Sequence, residues 1–179
     1  MHQTLTLRPV VADDIELLYR IYASTREEEL AQVAWDAEQK VTFLQMQFDL
    51  QHRYYQMNYS RARFHVIQLG GQPAGRLYLD RCEREIRIVD IAILPEYRGR
   101  GIGTALLREI LAEAEGLALP VTIHVECFNP ALRLYERLGF HKVGDRGVYY
   151  FMEKLPDLSP GSVGLSYREE RLCSINSPA

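Results

Sequence analysis

The sequence predicts one mixed α/β domain over residues 1–155, with a mostly antiparallel sheet and helices on both faces, followed by a C-terminal tail over 156–179. Three observations carry that prediction. Short stretches alternate apolar and polar residues and meet at glycine turns, as strands of hairpins do. Longer stretches place apolar residues at helical spacing. At residues 89–107, V-D-I-A-I-L-P-E-Y-R-G-R-G-I-G-T-A-L-L, an apolar strand stops at Pro95 and passes through an arginine–glycine loop into a helix.

The 179 residues, 47% of them hydrophobic, suit one domain with a substantial core. A net charge of −3 gives no general attraction to nucleic acid or to an anionic membrane. No apolar run approaches the ~18 residues of a membrane span, and the start, M-H-Q-T-L-T-L-R-P, lacks the layout of a signal peptide. Cys82, Cys127 and Cys173 are widely spaced and form no CxxC. No disulfide framework and no metal site is expected, and a reducing cytoplasm is the simplest location.

Leu5 and Leu7 alternate with polar neighbours in a first strand closed by Pro9. Asp13 and Asp14 open a helix with Ile15, Leu18, Tyr19 and Tyr22 on one face, and the charged stretch from Ser24 to Glu29 is expected to break it. A longer helix is predicted from Val33 to Met57. Ala37, Val41, Leu44, Phe48 and Tyr55 form its buried stripe, and Met46, Leu50, Tyr54 and Met57 form a second. The second stripe reads either as another packed face or as a substrate or dimer surface. Phe64 to Leu69 and Ala74 to Leu79 form a hairpin through Gly70 and Gly71.

The fourth strand, Glu85 to Ile93, changes parity. Ile86 and Ile88 lie on one side, whereas Val89, Ile91 and Ile93 lie on the other. An inserted residue near Val89–Asp90, a β-bulge, produces such a change; burial on both faces also erases alternation. Gly103, Leu107, Ile110, Ala114 and Leu117 then form one helical stripe, Val121 to Glu126 a fifth strand. Asn129 caps a further helix, with Pro130 at its first position and Gly139 at its end. Phe140 to Val143 and Val148 to Lys154 read as a last hairpin turning at G-D-R-G. From Pro156 the chain is rich in Ser, Pro and Gly, the composition of a flexible or subunit-packing tail.

The loop after Pro95 suits an anion. A helix start offers unpaired N–H groups and roughly half a positive charge. Gly99, Gly101 and Gly103 let a phosphate approach the backbone, and Arg98 and Arg100 add charge. A solvated basic turn capping an ordinary helix is the plainer alternative. A Walker loop is excluded because no Lys-Ser or Lys-Thr follows the glycines. The dinucleotide fingerprint is excluded because its final glycine place holds Thr104 or Leu106.

R-G-R-G-I-G at 98–103 resembles the R/Q-x-x-G-x-G/A motif of the GNAT superfamily of acyl-CoA-dependent N-acyltransferases. N-P-A-L-R-L-Y-E-R-L-G-F at 129–140 resembles the later N-x-x-A-x-x-L-Y-x-x-x-G-F pattern of that family. The resemblance runs from about Thr4 to Leu155 and is strongest from Asp90 to Phe140. It implies a sheet splayed between strands 4 and 5, with the pantetheine arm of acetyl-CoA in the gap, bonded to backbone at Ile91 and Ile93. It further implies Arg98, Gly99, Arg100, Gly101, Gly103 and Thr104 on the phosphates and Asn129 beside the pantetheine. Tyr135, by residue pattern alone an ordinary core position, is the implied general acid for the leaving thiolate.

The general base is the open position. Some relatives place a glutamate in the fourth strand where this chain has Arg87. Asp90 is the named catalytic candidate, acting through water, with Glu85, His124 and Glu126 as neighbours to weigh and an already neutral amine as a further option. The implied activity is direct transfer of an acetyl group from acetyl-CoA to a primary amine of a small molecule or peptide. A non-catalytic acyl-CoA-binding sensor or assembly module is the competing class, and an enzyme using a longer acyl chain a third. A homodimer through the tail or the long helix is compatible with the pattern.

Overall fold

The computed structural model describes residues 3–157. The expectations for the tail beyond Asp157, and for Cys173 within it, lie outside the described residues. The seven strands are β1 (Leu5–Pro9), β2 (Arg63–Leu69), β3 (Gln72–Arg81), β4 (Ile86–Ile93), β5 (Val121–Glu126), β6 (His141–Arg146) and β7 (Tyr149–Lys154). They form one sheet in the order β1-β2-β3-β4-β5-β7-β6. Every neighbouring pair is antiparallel except β4 and β5. The helices are α1 (Ile15–Ala31), α2 (Ala37–Asn58), α3 (Ile102–Gly116) and α4 (Leu132–Arg137).

Each face of the sheet carries its own core. On one, Ile67, Leu77, Ile86 and Ile88 pack with Ile102, Leu106, Leu107 and Ile110 of α3 and Tyr135 of α4. On the other, Tyr78 and Ala92 pack with Leu18, Ile21 and Tyr22 of α1 and Phe48 of α2. Helices therefore cover both faces, as the sequence predicts.

The parity change in β4 is a β-bulge. Tyr78 pairs with Asp90 and Leu79 with Ile88, which leaves Val89 without a partner on β3. Ile86 and Ile88 before it, and Ile91 and Ile93 after it, all pack toward α3, whereas Val89 turns to the α1 side. Val89 thus does not share a face with Ile91 and Ile93, a correction to the sequence reading. The bulge also ends the parallel pairing. β4 meets β5 only at Ile86–Val121, Arg87–Thr122 and Ile88–Ile123, and beyond Ile88 the two strands diverge.

Divergence frees backbone. The Leu94 N–H donates to the Ala74 carbonyl at 2.9 Å, which sets the alternation of the β3–β4 ladder. Asp90 and Ala92 therefore bond to β3, and the N–H and C=O groups of Ile91 and Ile93 point into the gap. Gly75, opposite Ile93, keeps this arrangement seated. A Cβ there would lie 2.2 Å from the Ala92 carbonyl oxygen. Gly75→Ala is expected to push β4 out of register at Ala92–Ile93 and lower the unfolding free energy read from chemical denaturation by about 1–3 kcal/mol, as for an overpacked site.

Several local expectations change. α1 does not break at Ser24. The Ser24 hydroxyl donates to the Ile21 carbonyl at 2.8 Å and the Thr25 hydroxyl to the Tyr22 carbonyl at 2.7 Å, so both stay within the helix, and the glutamates after them are good helix formers. α2 begins at Ala37, capped by Asp36, whose carboxylate accepts the Gln39 N–H at 2.8 Å. Its expected stripe is only partly buried: Phe48 is enclosed, whereas Val41 is 57% exposed. The last hairpin turns at Gly147–Val148 instead of G-D-R-G, with Gly147 at φ 63°.

Candidate active site

The divergence of β4 from β5 opens a groove of about 370 Å³. Ile91, Ala92 and Ile93 form one wall, and Asn129, Leu134 and Tyr135 from the α4 side form the other. Arg98, Gly103, Leu107, Glu126 and Phe128 also line it, with the last turns of α1 alongside.

The loop between β4 and α3 builds an anion seat beside the groove. Gly99 and Gly101 adopt φ 73° and 79°, conformations that favour glycine. A Cβ at either would meet no protein atom within 4 Å. The first intrahelical bond of α3 runs from the Ala105 N–H to the Gly101 carbonyl, 2.9 Å, and no side chain caps the helix. The amides of Ile102, Gly103 and Thr104 are thus the unpaired donors of a 15-residue helix.

The two arginines of this loop differ. Arg98 is tied down: its Nε donates to the Ile93 carbonyl at 2.9 Å and its Nη2 to the Ser24 carbonyl at 3.1 Å. It joins the end of β4 to α1, and two of its five N–H donors are committed to that. Arg100 is exposed, with its guanidinium 5.3 Å from the centre of the Tyr97 ring. Asn129 does cap: its Oδ1 accepts the Ala131 N–H at 2.9 Å and its carbonyl the Leu132 N–H at 3.1 Å. The regular helix starts at Leu132, later than the Pro130 start expected.

Tyr135 is 4% exposed, held edge-on to Phe140 at 5.6 Å between ring centres, and lines the groove. Burial, with the negative field of Asp90 behind it, pushes its phenol far above the usual tyrosine range. The hydroxyl is therefore protonated at any physiological pH.

Asp90 sits on the opposite face of the sheet from the α3 core, ion-paired to the buried Arg76 of β3. Arg76 in turn donates to Gln51 of α2 at 2.9 Å. Burial and Asp90 raise Tyr55 beside them. Arg87 pairs with Glu85 at 2.7 Å, and Glu85 accepts the Thr122 hydroxyl at 2.8 Å, so this carboxylate is held by its neighbours. Glu126 lines the groove and is bonded by Arg26 of α1 at 3.0 Å.

His124 stacks on Phe151 at 4.8 Å, and its buried Nε2 finds no partner among the described residues. Burial, then Arg87 and Arg146, push it down to about 4. The unfolded chain therefore binds a proton below about pH 6.5 that the fold refuses until about pH 4, and stability falls as pH drops through that window. Urea midpoints measured at pH 7 and pH 5 are expected to separate less in His124→Gln than in wild type; His52 and His65, also lowered by burial, retain part of the loss.

The sequence reading missed the α1 side of this site. Ser24, Thr25 and Glu27–Glu29 line the groove because α1 continues through them. The acidic run itself was the available signal. Among the described residues no group of three or more His, Cys, Asp or Glu is placed to hold a metal ion.

A split central sheet with a glycine-rich helix start at the split defines the acyltransferase fold that the motifs resemble. Residues 60–142 match the family model described as an acetyltransferase (GNAT) domain. The N-alpha-acetyltransferase RimI of Mycobacterium tuberculosis is 38% identical over 85 residues, 45% of this chain and 53% of that protein. A putative ribosomal protein bS18-alanine N-acetyltransferase of Bacillus subtilis is 34% identical over 92 residues, 50% of this chain and 60% of its own length. The chain thus spans about half the length of these curated relatives. The fold matches the PaiA N-acetyltransferase of Thermoplasma acidophilum in complex with coenzyme A at a TM-score of 0.63, with 18% identity, covering 85% of this chain and 99% of that one.

Proposed function

We propose that the protein transfers an acetyl group from acetyl-CoA directly to a primary amine. One observation carries the reading: the free N–H and C=O of Ile91, the free N–H of Ile93 and the buried, protonated Tyr135 line the same groove. Acetyl-CoA would supply an activated thioester carbonyl. Ile102, Gly103 and Thr104 amides, with Arg100 and the uncommitted donors of Arg98, would hold its phosphates. Gly99 and Gly101 keep that seat open, and Asn129 borders the pantetheine.

An N–H of the splayed strand would polarise the carbonyl, the kind of preorganised donor that stabilises developing negative charge. Tyr135 would give its proton to the departing sulfur. Proton removal from the amine is assigned to water ending on Glu126, which lines the groove, or on Asp90, behind Tyr135. Orientation within the cleft can supply about 7–11 kcal/mol in favourable cases. The names of the relatives favour an N-terminal α-amine as acceptor. Free Cys82 and Cys127 fit a reducing cytoplasm, and no described helix is long and apolar enough to cross a membrane.

The test is acetyl-CoA turnover against a panel of N-terminal peptides and small amines, read by thiol release and by the mass of the product. Acetylation of any α-amine or primary amine supports the reading. One observation favours the non-catalytic alternative: both Asp90 and Glu126 are engaged by arginines. Tight acetyl-CoA binding with no thiol release across the panel would select it.

A further inference from the structure

Of the 22 residues of α2, Phe48 alone is fully enclosed, whereas α1 and α3 each enclose five. A helix in a protein gains most of its stability by packing an apolar face, so α2 is short of a partner. Val41, Met46 and Leu50, each more than half exposed, lie on its outer side. With Thr42, Gln45, Asp49 and Arg53 they line a groove of about 540 Å³. This groove is the furrow between two i, i+4 ridges, Val41-Gln45-Asp49-Arg53 and Thr42-Met46-Leu50, the relief into which another helix packs. None of the seven residues lines the gap between β4 and β5.

The charges on the stripe identify the partner. Glu38, one turn before Thr42, has no ion-pair partner among the described residues. Arg53 donates its Nε to the Asp49 carbonyl at 3.2 Å and pairs with no carboxylate among them. A second α2 laid antiparallel, about a two-fold axis between Gln45 and Met46, sets Val41 of each copy against Leu50 of the other. The same rotation sets Thr42 against Asp49 and Glu38 against Arg53. Every such pair forms twice, because an isologous interface is self-complementary. A parallel arrangement would instead set Glu38 against Glu38 and Arg53 against Arg53, and like charges in contact disfavour it.

We propose that the protein self-associates through α2, two copies packing antiparallel over Val41, Met46 and Leu50 with a Glu38–Arg53 ion pair at each end. This is independent of the acetyl-transfer reading. One helix face about 22 Å long buries less than the roughly 1,600 Å² of a standard interface, so the dimer is weak and concentration-dependent.

The experiment is sedimentation equilibrium of the full chain at low salt, from micromolar to near-millimolar concentration. Wild type should pass from monomer to dimer. Met46→Glu, which buries an unpaired carboxylate beside the axis, should weaken association by about tenfold or more. Glu38→Arg and Arg53→Glu each bring like charges together at both ends and should weaken it by about three- to tenfold. An equimolar mixture of those two variants should recover wild-type association as a heterodimer, since each end then joins an arginine to a glutamate. Glu83→Arg, a charge reversal at an exposed site outside α2, should associate as wild type does. Circular dichroism melts of the dilute variants should match wild type, because the substituted side chains are exposed.

Monomer at every concentration overturns the proposal and leaves the stripe to a different protein. A dimer that Met46→Glu forms as well as wild type also overturns it, as does a mixture of the charge-reversed variants that associates no better than either alone.

Discussion

Tyr135→Phe is expected to lower the acetyl-transfer rate by about 100- to 10,000-fold, the usual contribution of a positioned proton donor, while acetyl-CoA binding changes little. The ring stays, so its edge-on contact with Phe140 and its place in the α3-side core are kept. Only the hydroxyl is lost. Because burial holds the wild-type phenol in its protonated form, the donor is charged with its proton before the reaction begins. The loss should therefore fall in kcat, and single-turnover rates should show it with acceptor saturating. A Tyr135→Phe enzyme within threefold of wild type would remove the tyrosine from the proton path and leave it a core residue.

Gly101→Glu should abolish acetyl-CoA binding, by more than about 100-fold in Kd. Two effects act together. The residue sits at φ 79°, a left-handed conformation that costs an ordinary side chain roughly 1–2 kcal/mol. The new carboxylate also stands at the head of α3, where the unpaired amides of Ile102, Gly103 and Thr104 would otherwise receive a phosphate. Gly101→Ala separates the two, since it keeps the strain without the charge. Calorimetric titration should give Gly101→Ala a loss of about tenfold or less. Equal losses in both variants would mean that loop geometry, not charge, governs the seat.

Much of this site was legible before the fold. The parity change in β4 is local, and one inserted residue explains it, so the bulge at Val89 could be read from spacing. The glycine loop and the Asn129 cap are likewise short-range features whose chemistry depends on their neighbours in sequence. What could not be read depends on register between distant segments. Arg76 faces Asp90 only because β3 and β4 pair Tyr78 with Asp90 across the bulge. That pairing puts Asp90 against an arginine and on the α1–α2 face, which spacing within β4 does not reveal.

The acidic turn of α1 was misread for a different reason. Ser and Thr followed by charges often leave a helix, but Ser24 and Thr25 satisfy their hydroxyls on the preceding turn and let it continue. Three glutamates were thereby carried to the edge of the groove. Arg98 carries a similar lesson: its position in the motif suggests a phosphate ligand, yet its bonds to Ile93 and Ser24 also make it a brace between β4 and α1.

The central claim is that acetyl-CoA lies in the gap between β4 and β5. Residue-resolved amide hydrogen exchange, with and without saturating acetyl-CoA, tests it most directly. The account predicts that the Ile91 and Ile93 amides slow by tenfold or more, while Asp90 and Ala92, already bonded to β3, change little. Unchanged exchange at Ile91 and Ile93 with acetyl-CoA bound would contradict it and place the ligand elsewhere on the molecule.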